Sequence, residues 1–370
     1  MPTVFPQPPL LSQIRYLIKL LWMNNFVKFY LFLRRLYRYG YYKDSPTLTL
    51  SIPQHHLPSS WSPSSVEIYL PKTYSHPPPS TTTPSSPNKK LPLILDLHGG
   101  GWTVGHPVLD SQFNRYISDA TSSIVIALPY RKSPYVQWPT QVRDLTALIT
   151  AVLSDERITH LYDPTRVAIA GFSAGGNLAT VLSYQPELKG KLQTVVGVYP
   201  ALDFTMTVQA KLDTRPKHAG RDILEDMAHW FVWGYIPDGV DREDPNLSPL
   251  YAKKEDLPRN MYLVGCEYDM LNIDCKNFYA KFGKFEEVNM VYEEVKGVKH
   301  GFTHQGKERM DPAEDKRLDG LTFALYDRIA AWLVKVWEGE EVGKAVVKDV
   351  SGDVESEPVG GELGDDIVIV

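Results

Sequence analysis

The sequence predicts an α/β chain: a doubly wound, mostly parallel sheet with a helical cap. Two observations carry that expectation. From residue 51 to residue 337, short Val/Ile/Leu runs alternate with helix-patterned stretches, as they do when strands are buried on both faces. A helical, aromatic piece at 205–250, containing "DILEDMAHWFVWGYIP", breaks the alternation between two strands. An insertion placed there can fold over the strand ends, where the chemistry of such sheets gathers.

The chain has 370 residues, 43% hydrophobic and 22% charged. Those values fit one large globular domain with insertions. A net charge of -5 gives no reason to expect a nucleic-acid partner. Cys266 and Cys275 are the two cysteines, too few for a disulfide framework or a zinc cluster, and they favour a reducing, cytoplasmic location.

The first segment, 10–40 within an N-terminal unit 1–50, is rich in Leu and aromatics and has no acid. Arg15, Lys19 and Lys28 interrupt it, and each central charge costs roughly 2.5–3.5 kcal/mol in a bilayer. No small-residue cleavage site follows, so a secretory signal is not expected either. Two readings stay open: a helix packed over this protein's own site as part of the cap, or a helix on the surface of an intracellular membrane.

The catalytic body is expected over 51–337. Strands are read at 64–71, 91–98, 122–130, 166–170, 192–200, 261–265 and 288–295. Helices are read over 139–153, from about Ala174, over 272–282 and over 318–337. Between the first two strands, 72–90 is low-complexity Pro/Ser/Thr and reads as a disordered loop. The tail 338–370 is acidic and Gly-rich and reads as disordered. The histidines of "QHH" (54–56) and His76 fall in linker-like sequence and are expected in solvent.

Two motifs carry chemistry. The strand "RVAIA" runs into "GFSAGGN", so Gly171-Phe172-Ser173-Ala174-Gly175 satisfies G-x-S-x-G after a strand and before a helix. The flanking Gly171 and Gly175 permit the sharp turn that would expose the Ser173 hydroxyl. Upstream, "ILDLHGGGWTVG" closes a buried strand with His98, Gly99, Gly100, Gly101 and Trp102. Acyl transfer from a serine passes through an oxyanion that needs pre-placed donors. Bare N–H groups of Gly99 and Gly100 can supply two, and the N–H of Ala174 a third.

With "HGGGW" followed by "GFSAGGN", the sequence resembles the hormone-sensitive-lipase-like carboxylesterases of the α/β-hydrolase fold, over roughly 90–335. The resemblance implies Ser173 as nucleophile, Gly99, Gly100 and Ala174 as oxyanion donors, and a cap built from the N-terminal segment and the insertion. Two departures bear on substrate subclass: "YRKSP" at 130–134 replaces the family's usual turn, and Phe172 stands in the elbow.

In that fold the acid and then the histidine follow the serine. After "MYLVG", the stretch "CEYDMLN" offers Asp269, whose Met-Leu step matches the family, and Glu267 as the alternative. The acid would accept the histidine Nδ1–H and fix its tautomer; an aspartate here could equally cap the next helix. In "KGVKHGFTH", His300 precedes Gly-Phe as in the family, and His304 competes. Asp203, Arg131 and Asp144 read as loop-stabilising.

The expected activity is a serine hydrolase that cleaves short or medium acyl esters, or a lactone, through an acyl-enzyme, with no cofactor and no metal. The expected partner is a small-molecule ester, with peripheral membrane contact tied to the basic segment. An arylformamidase-like amidase is the second enzymatic reading. A non-catalytic ligand-binding relative is the third, and His300 argues against it, because the receptors of that kind have lost the histidine. The intact glycine loop argues against a dehydratase variant.

Overall fold

The computed structural model describes residues 7–36, 44–61, 65–74, 90–304, 311–340 and 346–347. Its first element is one continuous helix, α1 (Leu10–Leu36), with no Pro or Gly inside it. Strands β1 (Leu48–Ser51), β2 (Ser65–Tyr69) and β3 (Leu91–Leu97) follow. Then come α2 (Ser111–Thr121), β4 (Ile124–Leu128), α3 (Thr140–Ser154), the single turn α4 (Glu156–Thr159) and β5 (Tyr162–Phe172). The chain continues through α5 (Ala174–Ser183), β6 (Thr194–Val198), α6 (Val208–Leu212) and α7 (Leu224–Tyr235). It ends with β7 (Asn260–Cys266), α8 (Asn272–Phe282), β8 (Asn289–Val295), α9 (Pro312–Glu338) and β9 (Val346–Val347).

The strands form one sheet in the order β1-β2-β4-β3-β5-β6-β7-β8-β9. β1 pairs with β2, and β2 with β4, antiparallel; every pairing from β4 to β9 is parallel. The register aligns Leu97 with Gly171, Phe172 with Val198, Val198 with Val264 and Cys266 with Val295. The carboxyl ends of five strands therefore open on one edge, as the doubly wound arrangement requires.

Alternation along β3 divides the core. Leu93, Leu95 and Leu97 join the layer of α3, α5 and α8, while Ile94 joins the layer of α2 and α9. Period-2 side-chain direction produces that split, and covering both faces removes both apolar sets from water.

Several sequence expectations need correction. The body does not begin at residue 51: Leu48–Ser51 is a strand whose Leu50 is buried against β2. "RVAIA" is only the end of β5, which starts at Tyr162. The helix expected from 318 starts at Pro312, because the Asp311 carboxylate accepts the N–H groups of Ala313 and Glu314. Helix α2 was not anticipated. The tail is not wholly without structure, since Val346–Val347 pairs alongside β8 and covers part of an otherwise open edge. The rest of 341–370 and most of the loop 72–90, including His76, lie outside the described residues. His55 and His56 are exposed, as expected.

Over the carboxyl ends of the strands sit α6 and α7, from the insertion, and α1. Leu20 of α1 fills the notch at Gly234 of α7, where a Cβ would come 2.7 Å from Leu20 Cδ1. Tyr16 meets Trp233 edge to face at 5.9 Å, and the buried Asn24 Nδ2 donates to the Thr103 carbonyl at 2.6 Å. No helix of the described residues is long and apolar enough to cross a membrane.

Candidate active site

The turn from β5 into α5 holds Ser173 at φ 53, ψ -115, a conformation that costs an L-residue energy. The surroundings enforce it. Ser173 N–H donates to the Val198 carbonyl at 2.9 Å, and a Cβ on Gly175 would overlap the Leu97 carbonyl oxygen. Only a bare backbone lets α5 start so close to β3. A Cβ on Gly171 would likewise collide with Gly175.

Against this elbow lies the glycine loop after β3. A Cβ on Gly99 would stand 3.1 Å from the Phe172 carbonyl oxygen and 3.5 Å from Ser173 Cβ. Gly101 adopts φ +57 and leaves the space that the Phe231 ring of α7 occupies. Trp102 is buried and stacks on Tyr235 with centroids 4.2 Å apart.

The loop is held from below by the "YRKSP" turn. His98 Nδ1 donates to the Gly99 carbonyl at 2.6 Å, which leaves Nε2 to accept from Lys132 Nζ at 2.7 Å. Tyr130 stacks on His98 at 4.3 Å and donates from its hydroxyl to the His98 carbonyl at 2.9 Å. Burial, reinforced by the Lys132 charge, pushes the His98 pKa well below the usual histidine range. His98 is thus a neutral brace rather than a proton carrier. Arg131 pairs with both oxygens of Asp144 at 2.5 and 2.8 Å, a loop clamp as expected.

Ser173, His300 and Asp269 meet at the strand ends. His300 Nε2 lies 2.9 Å from Ser173 Oγ, and His300 Nδ1 lies 2.6 Å from Asp269 Oδ2. The Asp269 side chain is fully buried and that of His300 is 8% exposed. Burial alone would depress the imidazole, but the Asp269 charge and hydrogen bond, with Asp222 beyond, outweigh it and hold His300 above its ordinary value. Asp269 Oδ1 also accepts the Leu271 N–H at 2.8 Å, so the same carboxylate shapes the turn before α8. Glu267 does not reach His300; it accepts the Gly297 N–H at 2.9 Å and faces Lys296.

His304, the competing histidine, keeps 28% of its side chain in solvent and is not part of that line. It borders the cavity, with Nε2 donating to Asp110 Oδ1 at 2.7 Å and Nδ1 lying 2.9 and 3.0 Å from the mutually bonded hydroxyls of Thr303 and Tyr199, one of which donates to it. Burial lowers its pKa to about 4. Asp110 is itself raised to about 8 by burial, and the neighbouring Asp96 well above the usual carboxylate range.

Sequence reasoning also missed Asp222. On the insertion just before α7, it accepts the N–H groups of Met270 at 3.0 Å and Leu224 at 2.8 Å. An aspartate in a helical insertion carries no signal that it reaches a distant turn. Asp203 accepts from the backbone N–H and the hydroxyl of Thr205, a loop-stabilising role as expected. Cys266 and Cys275 are buried free thiols. Among the described residues, no group of three His, Cys, Asp or Glu could hold a metal ion.

Above Ser173 opens a cavity of about 660 Å³ that His300 also borders. Its walls include Trp102 and Phe204 from the body, Phe231 and Val232 from α7, and Tyr16 and Met23 from α1. It is a mostly apolar, concave site with a few convergent polar groups, the form expected for a small-molecule site.

The sequence model of the alpha/beta hydrolase fold matches residues 94–304. Neutral cholesterol ester hydrolase 1 of Mus musculus is 34% identical over 284 residues, 58% of this chain and 69% of that protein. Versiconal hemiacetal acetate esterase of Dothistroma septosporum is 29% identical over 224 residues, 57% of this chain and 66% of its own. The chain thus spans about two thirds of the length of these two relatives. Among solved structures, an esterase of Pyrobaculum calidifontis superposes with a TM-score of 0.66 at 21% identity, covering 90% of this chain and 99% of that one, a likeness of fold. With the family match running from the middle of β3 to His304, across the elbow and the His300 loop, the chain belongs to the alpha/beta hydrolase fold family, in its carboxylesterase-like group.

Proposed function

We propose that this chain hydrolyses carboxylic esters through an acyl-enzyme on Ser173, with His300 as general base and Asp269 as its orienting acid. The observation that carries the reading is the continuous line Ser173 Oγ, His300 Nε2, His300 Nδ1, Asp269 Oδ2, with links of 2.9 and 2.6 Å. Asp269 accepts the Nδ1–H, so the Nε2 lone pair faces the serine hydroxyl. As Oγ attacks the ester carbonyl, its proton passes to Nε2, and Asp269 stabilises the imidazolium. The negative oxygen of the tetrahedral intermediate is met by the N–H groups of Gly99, Gly100 and Ala174. Nε2–H then protonates the leaving alcohol; a water, giving its proton to Nε2, attacks the acyl carbonyl, the acyl–Oγ bond breaks, and Nε2–H returns the proton to Ser173 as the acid leaves.

The cavity supports an uncharged, apolar ester with a short or medium acyl chain, or a lactone. The names of the relatives, a cholesterol ester hydrolase and an acetate esterase, agree with that chemistry. The intact serine–histidine contact favours an enzyme over a ligand-binding relative.

The test pairs a fluorophosphonate probe with a series of nitrophenyl esters from acetate to laurate, with an acetanilide and a formyl-kynurenine as amide controls. The expected result is labelling of Ser173 alone, and ester turnover that Ser173→Ala abolishes while the melting temperature is kept. Labelling at another residue, or turnover unchanged in the alanine variant, overturns the assignment. Faster cleavage of the amides than of every ester moves the activity to an amidase.

A further inference from the structure

We propose that the outer face of α1 docks on an anionic lipid surface, with the helix lying in the plane of the headgroups above the cavity. The helix has two apolar faces. The inner one carries Tyr16, Leu20, Met23 and Val27, and meets α7 or lines the cavity. The outer one carries Leu11, Ile18, Trp22, Phe26 and Phe29, exposed by 71, 61, 66, 53 and 57%. Their spacing of three, four or seven puts all five on one side of the helix. A helix of 27 residues is about 40 Å long, so this is an extended apolar stripe rather than a scatter of single residues.

Charge decides what covers it. Leu10–Leu36 contains no acid, and its ionisable side chains are cations apart from tyrosine. Arg15 stands within the outer face, and at 100° per residue Lys19 and Lys28 fall on its two flanks. Both lysines lie over rings beneath the helix, Lys19 Nζ 4.0 Å from the centroid of Trp230 in α7 and Lys28 Nζ 5.4 Å from that of Tyr135. Arg34 and Arg35 continue the positive sequence. An apolar stripe with a basic rim matches the acyl boundary and headgroups of an anionic leaflet. A second copy of the chain would set the same cations against each other.

Docked this way, α1 remains the roof of the cavity while its other side sits among acyl chains. The cavity then opens at the boundary where apolar esters dissolve; this delivery step, unlike the docking, rests on the ester hydrolase reading.

The experiment is flotation of the full chain with vesicles of phosphatidylcholine and phosphatidylserine, with pure phosphatidylcholine as control. Nitrophenyl butyrate turnover, circular-dichroism melting and sedimentation velocity are measured on the same samples. The wild type is expected to float with the mixed vesicles and to lose binding as salt rises. W22E/F29E is expected to reduce partitioning by about a hundredfold or more, and Arg15→Gln by roughly fivefold, with turnover in solution and melting unchanged. A wild type that does not float, or a double variant that floats equally well, overturns the proposal. A wild-type dimer that W22E/F29E makes monomeric, without vesicle binding, assigns the face to a second copy and overturns it too. Flotation without turnover of any ester would leave the docking standing and reject the hydrolase reading instead.

Discussion

The carboxylate of Asp222 accepts the backbone N–H of Met270 at 3.0 Å, one residue beyond Asp269. Asp222 belongs to the insertion and Met270 to the turn that carries the acid of the proposed triad. The same carboxylate lies 3.6 Å from Arg215 Nε, and both side chains are buried. The insertion therefore does more than wall the cavity: it fixes the turn from which Asp269 reaches His300.

Replacing Asp222 with Ala removes the acceptor and frees the turn. Misplacement of a reacting group by about 1 Å can cost on the order of 10²-fold. The expected outcome is a fall in kcat of that order with KM little changed, and recovery of most of it in Asp222→Asn, which keeps an acceptor oxygen. Steady-state kinetics on a nitrophenyl ester checks both.

Asp269→Asn should be far more damaging than Glu267→Gln. Without the carboxylate, His300 adopts the wrong tautomer, a defect of about 10⁴ in the serine protease reference case. Glu267 holds only the Gly297 N–H and Lys296, so its variant should retain most activity. A crippled Glu267→Gln beside an active Asp269→Asn would exchange the roles.

The pH profile follows from the sign of the His300 shift. A general base works only when neutral, so kcat/KM rises with pH through the histidine pKa. The Asp269 charge raises that pKa above 6.5, so the acid limb should have its midpoint above 6.5. In Asp269→Asn the limb should move to lower pH, measured on the residual activity.

Asp110 predicts a stability effect of a different kind. Burial raises its carboxyl to about 8, whereas an unfolded aspartate ionises near about 3.9. Between those values the native state holds the proton that the unfolded chain releases, so this group's stabilisation is full at acid pH and is lost as pH rises towards 8. Asp110→Asn cannot ionise. Its melting temperature relative to the wild type should therefore improve from about pH 5 to about pH 8, by thermal unfolding in matched buffers.

Much of this molecule was legible because its signals are local. The strand-elbow-helix around Ser173 and the glycine loop write their backbone needs directly into sequence, and His300 and Asp269 sit on the loops that chain order assigns. Helix α2 stayed hidden because its inner face is thin in apolar residues. Ser111, Asn114, Ser118 and Thr121 are buried beside Phe113 and Ile117, and Asn114 donates to Asp96 at 3.0 Å. Phe113, Tyr116 and Ile117 do stand at helical spacing, but the signal is three residues long and is diluted by the hydroxyls and amides buried beside it. Asp222, Asp110 and His304 were beyond reach for another reason: each acts on a partner distant in sequence, and one chain without a fold gives no measure of that proximity. The two readings of 10–40 do not exclude each other, because α1 has one apolar face on α7 and the cavity and a second one exposed.

The seat of Leu20 at Gly234 also sets an order of events during synthesis. Leu20 leaves the ribosome early, and the glycine that receives it is made on the order of ten to forty seconds later at ordinary elongation rates. For that interval α1 has no α7 to lie on, and both its apolar faces meet water. The cap therefore closes over the site only after the elbow that carries Ser173 has been made, because Gly234 follows it in the chain.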